Sequence, residues 1–300
     1  MNKRVLITGG TGFIGGVLCS ELLCRDYKLT VLSRQPADKV HSLCGQVDAI
    51  NNLENLRSDA GYDAVINLAG EGIADKRWTA ERKQTLRDSR IGLTNTLTEI
   101  INTWAKPPKV MVSGSAVGFY GDQGSARVTE DTAPHNEFTH QLCRDWENAA
   151  LKLESSGVRI CLSRTGIVVG PGGGFLQRMI LPFKLGLGGR LGAGYQYMPW
   201  IHRDDVVAAL IWMLETPDAS GAYNVVSPSP ITNREFTRCL ASTLKRPAIL
   251  PAPAPVLKIV LGSMSHLLLT GQQAVPARLI NSGFEFRYPT LTEALEDATG

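Results

Sequence analysis

Apolar residues in this chain recur at two spacings. Short, nearly unbroken apolar runs at Arg4–Thr8, 28–33, 47–50, 63–68, 109–113 and 158–163 read as buried strands. Between them, 13–24, 79–104 and 137–155 place apolar side chains every three or four residues, the mark of helices with one inward face. The second of these stops before Pro107-Pro108, where a helix cannot continue. Strands alternating with helices predict βαβ units: an α/β fold built on a doubly wound parallel Rossmann sheet, covered on both faces.

Past Arg164 the pattern changes. Residues 166–194 are rich in glycine, a helix is expected after Asp204-Asp205, and 222–226 reads as a strand. Further helices are separated by Pro247, Pro251, Pro253 and Pro255. The expected organisation is a Rossmann domain at 1–165 and a smaller, mostly helical substrate lobe at 166–300. Segments near 200–226 return to the Rossmann core.

Composition narrows the partners. With 43% hydrophobic and 20% charged residues the chain can bury an ordinary core. Its net charge is +3, with the basic residues spread along the chain, so nucleic acid is not the expected partner. After Met1-Asn2-Lys3-Arg4 the apolar run ends at Thr8 and Gly9, too short for the core of a signal peptide. The stretch 256–269 is broken by Lys258, Gly262 and His266, so no membrane span is expected. The six cysteines have no metal-like spacing and read as reduced thiols of a cytoplasmic protein. No metal site is expected.

The chemistry begins at Gly9-Gly10-Thr11-Gly12-Phe13-Ile14-Gly15, directly after a strand and opening a helix. Gly9 permits the tight turn, Gly12 lets backbone amides reach a pyrophosphate, and Gly15 lets helix and strand pack closely. The helix N-terminus adds unpaired N–H groups and partial positive charge. Thr11, Phe13 and Ile14 complete the expected contact surface. The second strand ends in Ser33-Arg34, with no carboxylate until Asp38. An acidic residue there would favour the ribose 2′-hydroxyl of NAD; a hydroxyl and a guanidinium suit the 2′-phosphate of NADP(H). NADP(H) is the expected cofactor.

Taken together, these features resemble the extended short-chain dehydrogenase/reductases, the group of NAD-dependent epimerases and dehydratases. The likeness extends through Asn67-Leu68-Ala69-Gly70, Val112-Ser113-Gly114-Ser115-Ala116, Arg164 to Pro171, and Trp200-Ile201-His202-Arg203-Asp204-Asp205. A tighter similarity is to the bacterial YfcH-type epimerase family proteins, carried by Asn67 to Glu71, Asp75-Lys76-Arg77-Trp78, and Pro134 to His140. Leu185-Gly186-Leu187-Gly188-Gly189 and Pro276-Ala277-Arg278-Leu279 extend it.

The resemblance implies cofactor contacts from Leu68, Ala69, Gly70, Glu71, Arg77 and Ser113, and a substrate cavity near Phe138 and Trp200. Glu71 with Arg77 is equally readable as a surface ion pair; Ser113 is expected to meet cofactor at backbone level and is equally readable as a strand-end residue. A homodimer through 79–104 and 137–155 is implied by family analogy alone.

One departure matters. Active members pair a tyrosine with a lysine four residues on; here those places hold Phe138 and Leu142. A phenyl ring has no proton to give, and leucine no charge to lower a neighbour's pKa. Ser115 keeps its place, and Tyr120, just past the serine strand, is the candidate substitute for the tyrosine. Two readings stay open. One is an oxidoreductase or epimerase acting on a hydroxyl or carbonyl of a small polar, nucleotide-sugar-like substrate. The other is a catalytically degenerate NADP(H)-binding sensor or interaction protein.

Overall fold

Val5, Leu6 and Ile7 are all fully buried, and that dictates the architecture. A strand with no polar face needs cover above and below, which a parallel sheet between two helical layers supplies. The computed structural model describes residues 3–56 and 61–300; Met1 and Asn2, of the segment weighed above against a signal peptide, lie outside them. Among the described residues seven parallel strands form one sheet. They are β1 (Arg4–Thr8), β2 (Lys28–Leu32), β3 (Asp48–Ile50), β4 (Ala64–Asn67), β5 (Val110–Ala116), β6 (Arg159–Thr165) and β7 (Gly221–Val225). Their order is β7-β6-β5-β4-β1-β2-β3. Winding therefore reverses between β1 and β4, and ligands of such sheets bind beyond the carboxyl ends at that point.

Successive side chains of β1 serve opposite layers. Val5 and Ile7 pack with Leu18 and Leu22 of α1 (Gly15–Cys24), while Leu6 packs with Leu97 and Ile101 on the other face. The interval between β2 and β3 holds α2 (Ala37–Cys44), which the apolar pattern did not show because only Val40 and Cys44 of its eight residues are buried. The helix expected over 79–104 is present in three joined pieces: α3 (Ala80–Arg87), a π-helical turn at Asp88–Gly92, and α4 (Leu93–Asn102). Thr79 caps α3 by accepting the Arg82 N–H at 3.1 Å. The second layer is completed by α5 (Phe138–Leu151).

Strand β5 runs three residues further than its apolar run, through Gly114 and Ser115. Gly114 belongs there because the Trp146 indole lies on it: a Cβ would fall 2.8 Å from the ring.

After β6 the chain builds α6 (Gly174–Lys184) and then α7 (Arg203–Glu215), whose Val206, Leu210 and Met213 join the α1 side of the sheet core. Strand β7 then lies against β6. The remaining helices are α8 (Asn233–Thr243), α9 (Ala254–Leu261), α10 (His266–Leu269), α11 (Ala277–Asn281) and α12 (Leu291–Thr299). α6, α8 and α12 enclose a separate core of Leu176, Phe183, Phe236, Leu240 and Leu295. The lobe and the glycine turn meet at one ring. Phe13 presses on Gly173 and Gly174, where a Cβ would lie 2.5 and 2.8 Å from its atoms. Gly170 to Gly174 is therefore a seat for Phe13, in place of the flexible link its glycines suggest.

The cap of α7 is a histidine. Neither Asp204 nor Asp205 caps it; His202 does, its Nδ1 accepting the Asp204 N–H at 3.2 Å. Asp205 instead accepts the backbone N–H groups of Arg287 and Tyr288 at 2.7 and 3.0 Å, tying the C-terminal segment to α7. Capping needs a neutral ring nitrogen, and burial holds the fully enclosed His202 below its ordinary pKa. With a depressed folded-state pKa, the contribution is complete above the unfolded value and is lost as pH falls. Thermal denaturation between pH 7 and pH 5 is expected to show His202→Asn, which keeps an acceptor but does not titrate, losing less stability on acidification than the parent by about 1 kcal/mol. Equal losses would show that His202 takes up its proton alike in the folded and the unfolded chain.

Candidate active site

At the carboxyl edge of β1 the chain turns through Gly9 at φ 73°. Its carbonyl accepts the Gly12 N–H at 3.0 Å, and Gly12 in turn accepts from Gly16. A Cβ on Gly9 would lie 2.7 Å from the Leu68 carbonyl carbon, so the turn is pressed against the exit of β4. A Cβ on Gly15 would overlap the Gly9 oxygen. Among the described residues the N–H groups of Phe13, Ile14 and Gly15 donate to nothing within the chain. This cradle of free donors at a helix N-terminus fits a dinucleotide pyrophosphate.

The neighbouring strand ends are wired from beneath. Thr8 donates to Asn67 Oδ1 at 2.7 Å, and Asn67 Nδ2 donates to Thr94 and to Ser113 Oγ at 2.8 and 3.3 Å. Ser113 is fully buried within this network, its hydroxyl a tie between strands, which leaves only its backbone for the expected contact with cofactor. Leu68, Ala69 and Gly70 leave β4 beside the turn, with Ala69 N–H bonded to Thr8 Oγ1 at 3.2 Å.

At the end of β2, Ser33 Oγ lies 3.3 Å from Thr11 Oγ1 and accepts the Gln35 N–H. Arg34 is open to solvent and reaches across to Glu71 at 2.9 Å. This hydrogen bond holds the Glu71 carboxyl below its ordinary range, with help from the buried Arg82 at 3.4 Å. Thr11, Ser33, Arg34 and Glu71 thus form one corner. Arg77 is not part of it. Its guanidinium lies against Gly262 in the C-terminal lobe, where a Cβ would fall 2.9 Å from Nη2.

The sequence reading missed Arg90, on the π-helical turn. It lies between Gly70 and the Trp146 ring, 5.4 Å from the ring centroid, with bonds of only 3.4 and 3.5 Å to Leu86 O and Ser89 Oγ. Burial lowers its pKa. In sequence it is one more polar residue on a helix.

Behind β5 lies a buried polar chain. Ser115 Oγ donates to Glu147 Oε1 at 2.6 Å, and Glu147 grips Arg164 through two bonds of 2.9 Å. Arg164 Nη1 donates to the Tyr120 hydroxyl at 3.0 Å, which donates onward to Asn224 Oδ1 at 2.7 Å. This corrects the expectation for Tyr120. It is fully buried, its hydroxyl is used on both sides, and burial pushes its pKa up to about 12. It cannot exchange a proton with a substrate. Ser115 lies near the carboxyl end of β5, and with its proton given to Glu147 it offers only a lone pair.

Phe138, at the first position of α5, opens onto a cavity of about 900 Å³ between the sheet layer and the C-terminal lobe. Its ring meets Trp78 edge-on at 5.0 Å, and Lys83 of α3 stands 4.9 Å from its centroid. Leu142 is core, packed with Trp78, Leu86 and Met264. The family's lysine is thus absent from α5, while a lysine from another helix occupies the neighbourhood of the missing tyrosine. On the cavity wall Glu137 Oε2 and His266 Nε2 are 2.6 Å apart. Trp200 is not at this site. It is 1% exposed, bonded through Nε1 to Ser229 O, and packed in the lobe core. The parallel pairing of Trp200–His202 with Ile167–Val169 carries it there. Among the described residues no cluster of His, Cys, Asp or Glu could hold a metal, and no helix is long and apolar enough to cross a membrane.

Residues 5–226 match the model of the NAD dependent epimerase/dehydratase family. The chain belongs to that family. Residues 252–298 match a second model, described as a domain of unknown function (DUF1731). Epimerase family protein Mb2239 of Mycobacterium bovis is 39% identical over 306 residues, covering 99% of this chain and 98% of that protein. Epimerase family protein SDR39U1 of Mus musculus is 36% identical, with 98% and 99% covered. Among solved structures, human epimerase family protein SDR39U1 (isoform 2) with NADPH superposes with a TM-score of 0.89 at 36% identity, covering 98% of each chain. A nucleoside-diphosphate sugar epimerase from Corynebacterium glutamicum gives 0.80 at 28% identity, covering all of this chain and 59% of that one. The fold is thus shared over the full length with human SDR39U1, and the Phe138 cavity lies between the stretches matched by the two models.

Proposed function

We propose that the chain binds NADP(H) on the glycine turn and acts on a hydroxyl or carbonyl of a small polar substrate in the Phe138 cavity. The observation that carries this is the corner formed by Thr11, Ser33 and Arg34 beside three free backbone donors, with no carboxylate at the end of β2. The NADPH in the crystals of human SDR39U1, a relative over the full length, supports it. When bound, the nicotinamide supplies or accepts hydride. The chain's own residues do the rest: Phe13, Ile14 and Gly15 bind phosphate oxygens through their amides, Ser33 and Arg34 hold the 2′-phosphate, and Ser115 accepts from a substrate hydroxyl. The Phe138 and Trp78 rings keep water from the cavity wall.

For Arg34 to take a phosphate it must release Glu71, an exchange of one charged partner for a stronger one. Affinities measured by quenching of intrinsic fluorescence are expected to favour NADPH over NADH, and Arg34→Ala to weaken NADPH about 10-fold or more with NADH little changed. Equal affinities in the parent chain would overturn the assignment of cofactor.

The second reading, a binder without turnover, is favoured by one observation: Tyr120 is sealed and Phe138 has no proton to move. Single-turnover oxidation of bound NADPH against a panel of carbonyl compounds separates the two. Turnover lost in Ser115→Ala supports the enzyme; tight binding with no turnover supports the sensor.

A further inference from the structure

The charges lining the Phe138 cavity are unbalanced. Its one acidic side chain among the described lining residues, Glu137, is already engaged: Oε1 accepts the Asp122 N–H at 3.1 Å and Oε2 bonds His266. The ammonium groups of its two lysines, Lys83 and Lys258, make no ion pair or hydrogen bond among the described residues. Lys83 is half-buried, with its ammonium 4.9 Å from the Phe138 centroid and 6.0 Å from that of Trp78. Both rings are fixed. The Trp78 Nε1 donates to Ile73 O at 2.9 Å, and the two rings pack on Leu86, Leu142 and Met264.

Ring faces attract a cation but accept no strong hydrogen bond, so the three ammonium donors of Lys83 are left for a ligand. A half-buried ammonium beside low-dielectric walls interacts with an anion far more strongly than a solvated one. The same cavity is also lined by Ala193, Ala254 and Leu269, which suit an apolar body.

Resting on the reading of this cavity as the substrate site, we propose that its ligand carries an oxyanion, a carboxylate or phosphate, at the Phe138 end, anchored by Lys83. The anion therefore sits beside the reacting end of the substrate. In a nucleotide sugar whose sugar is neutral the charge lies instead on the diphosphate, away from the sugar; one with an acidic sugar would bring its carboxylate to this end. Lys258, also on the lining, adds to the positive potential without setting the position.

The test is a ¹⁹F NMR titration of the full chain with 4-fluorophenyl phosphate, 4-fluorobenzoate and the neutral 4-fluorobenzyl alcohol, with and without NADPH. NADPH binding is followed separately by its own fluorescence. At least one anion is expected to bind 10-fold or more tightly than the alcohol, whichever anion it is naming the class. Lys83→Met and Lys83→Gln are expected to abolish that preference, and Lys83→Arg to keep most of it. An alcohol that binds as tightly as both anions overturns the proposal. So does an unchanged preference in either neutral variant whose Tm matches the parent's. Should NADPH fail to bind while the anion preference depends on Lys83, the cofactor assignment falls and the anion site stands.

Discussion

Replacing Glu147 by leucine is expected to destabilise the protein by about 3–5 kcal/mol, the cost of leaving a buried guanidinium without its partner. Arg164 is 6% exposed and Glu147 4%, so neither charge can turn to water when the other is removed. The loss spreads, because Arg164 also supports the Tyr120 hydroxyl and Glu147 takes the proton of Ser115. Thermal denaturation is the measurement, with Tm falling by roughly 5–10 °C. Arg164→Met alone is expected to behave alike. The double variant Glu147→Leu/Arg164→Met is expected to recover much of either loss, since a buried pair exchanged for apolar side chains of similar volume is often near neutral. A single-variant loss under about 1 kcal/mol would place the pair in solvent-like surroundings, contrary to its burial.

Two glycines of the turn are expected to fail in different ways. A methyl group on Gly15 overlaps the Gly9 oxygen and approaches Gly10 Cα at 2.7 Å, so backbone must move away from backbone. Gly15→Ala is expected to open the turn, lowering Tm and weakening NADPH by at least about 100-fold, or 2.7 kcal/mol. At Gly12 the nearest contact of a Cβ is a single one, 3.2 Å from Gly9 O, and the space beyond is where a phosphate would lie. Gly12→Ala is expected to keep Tm within about 2 °C and still weaken NADPH about 10-fold or more. Parallel melting and NADPH titrations decide it. Parental affinity in Gly12→Ala would mean that the pyrophosphate is seated elsewhere.

Much of the fold was readable because buried parallel strands are apolar throughout, and Val5-Leu6-Ile7 or Ala64-Val65-Ile66 can be little else. What escaped were features made by one side chain meeting another far along the chain. Glu147 looks like the polar face of a helix until β6 brings Arg164 beside it, and Lys83 looks solvated until α5 sets Phe138 beneath it. The absence of a tyrosine–lysine pair within α5 was legible at Phe138 and Leu142. That a lysine could come from a different helix was not, since helical spacing speaks only of neighbours on one element. Tyr120 and Trp200 were misplaced for the converse reason. An aromatic next to a family motif suggests a proton donor, as at Tyr120, or a pocket wall, as at Trp200, but short strand pairings and a buried arginine drew both into the interior. The π-helical turn left no mark, because one extra residue in a helical turn does not disturb an apolar pattern enough to see.

Phe13 belongs to the glycine turn by its backbone and to the base of α6 by its ring, which Arg203 covers at 5.3 Å while holding Pro171 O at 2.8 Å. Whatever shifts the turn therefore moves the foundation of the lobe. A dinucleotide that shifted the turn would shift that base with it. By linkage, if the shift changed the lobe's hold on a ligand by some factor, that ligand would change the hold on the dinucleotide by the same factor.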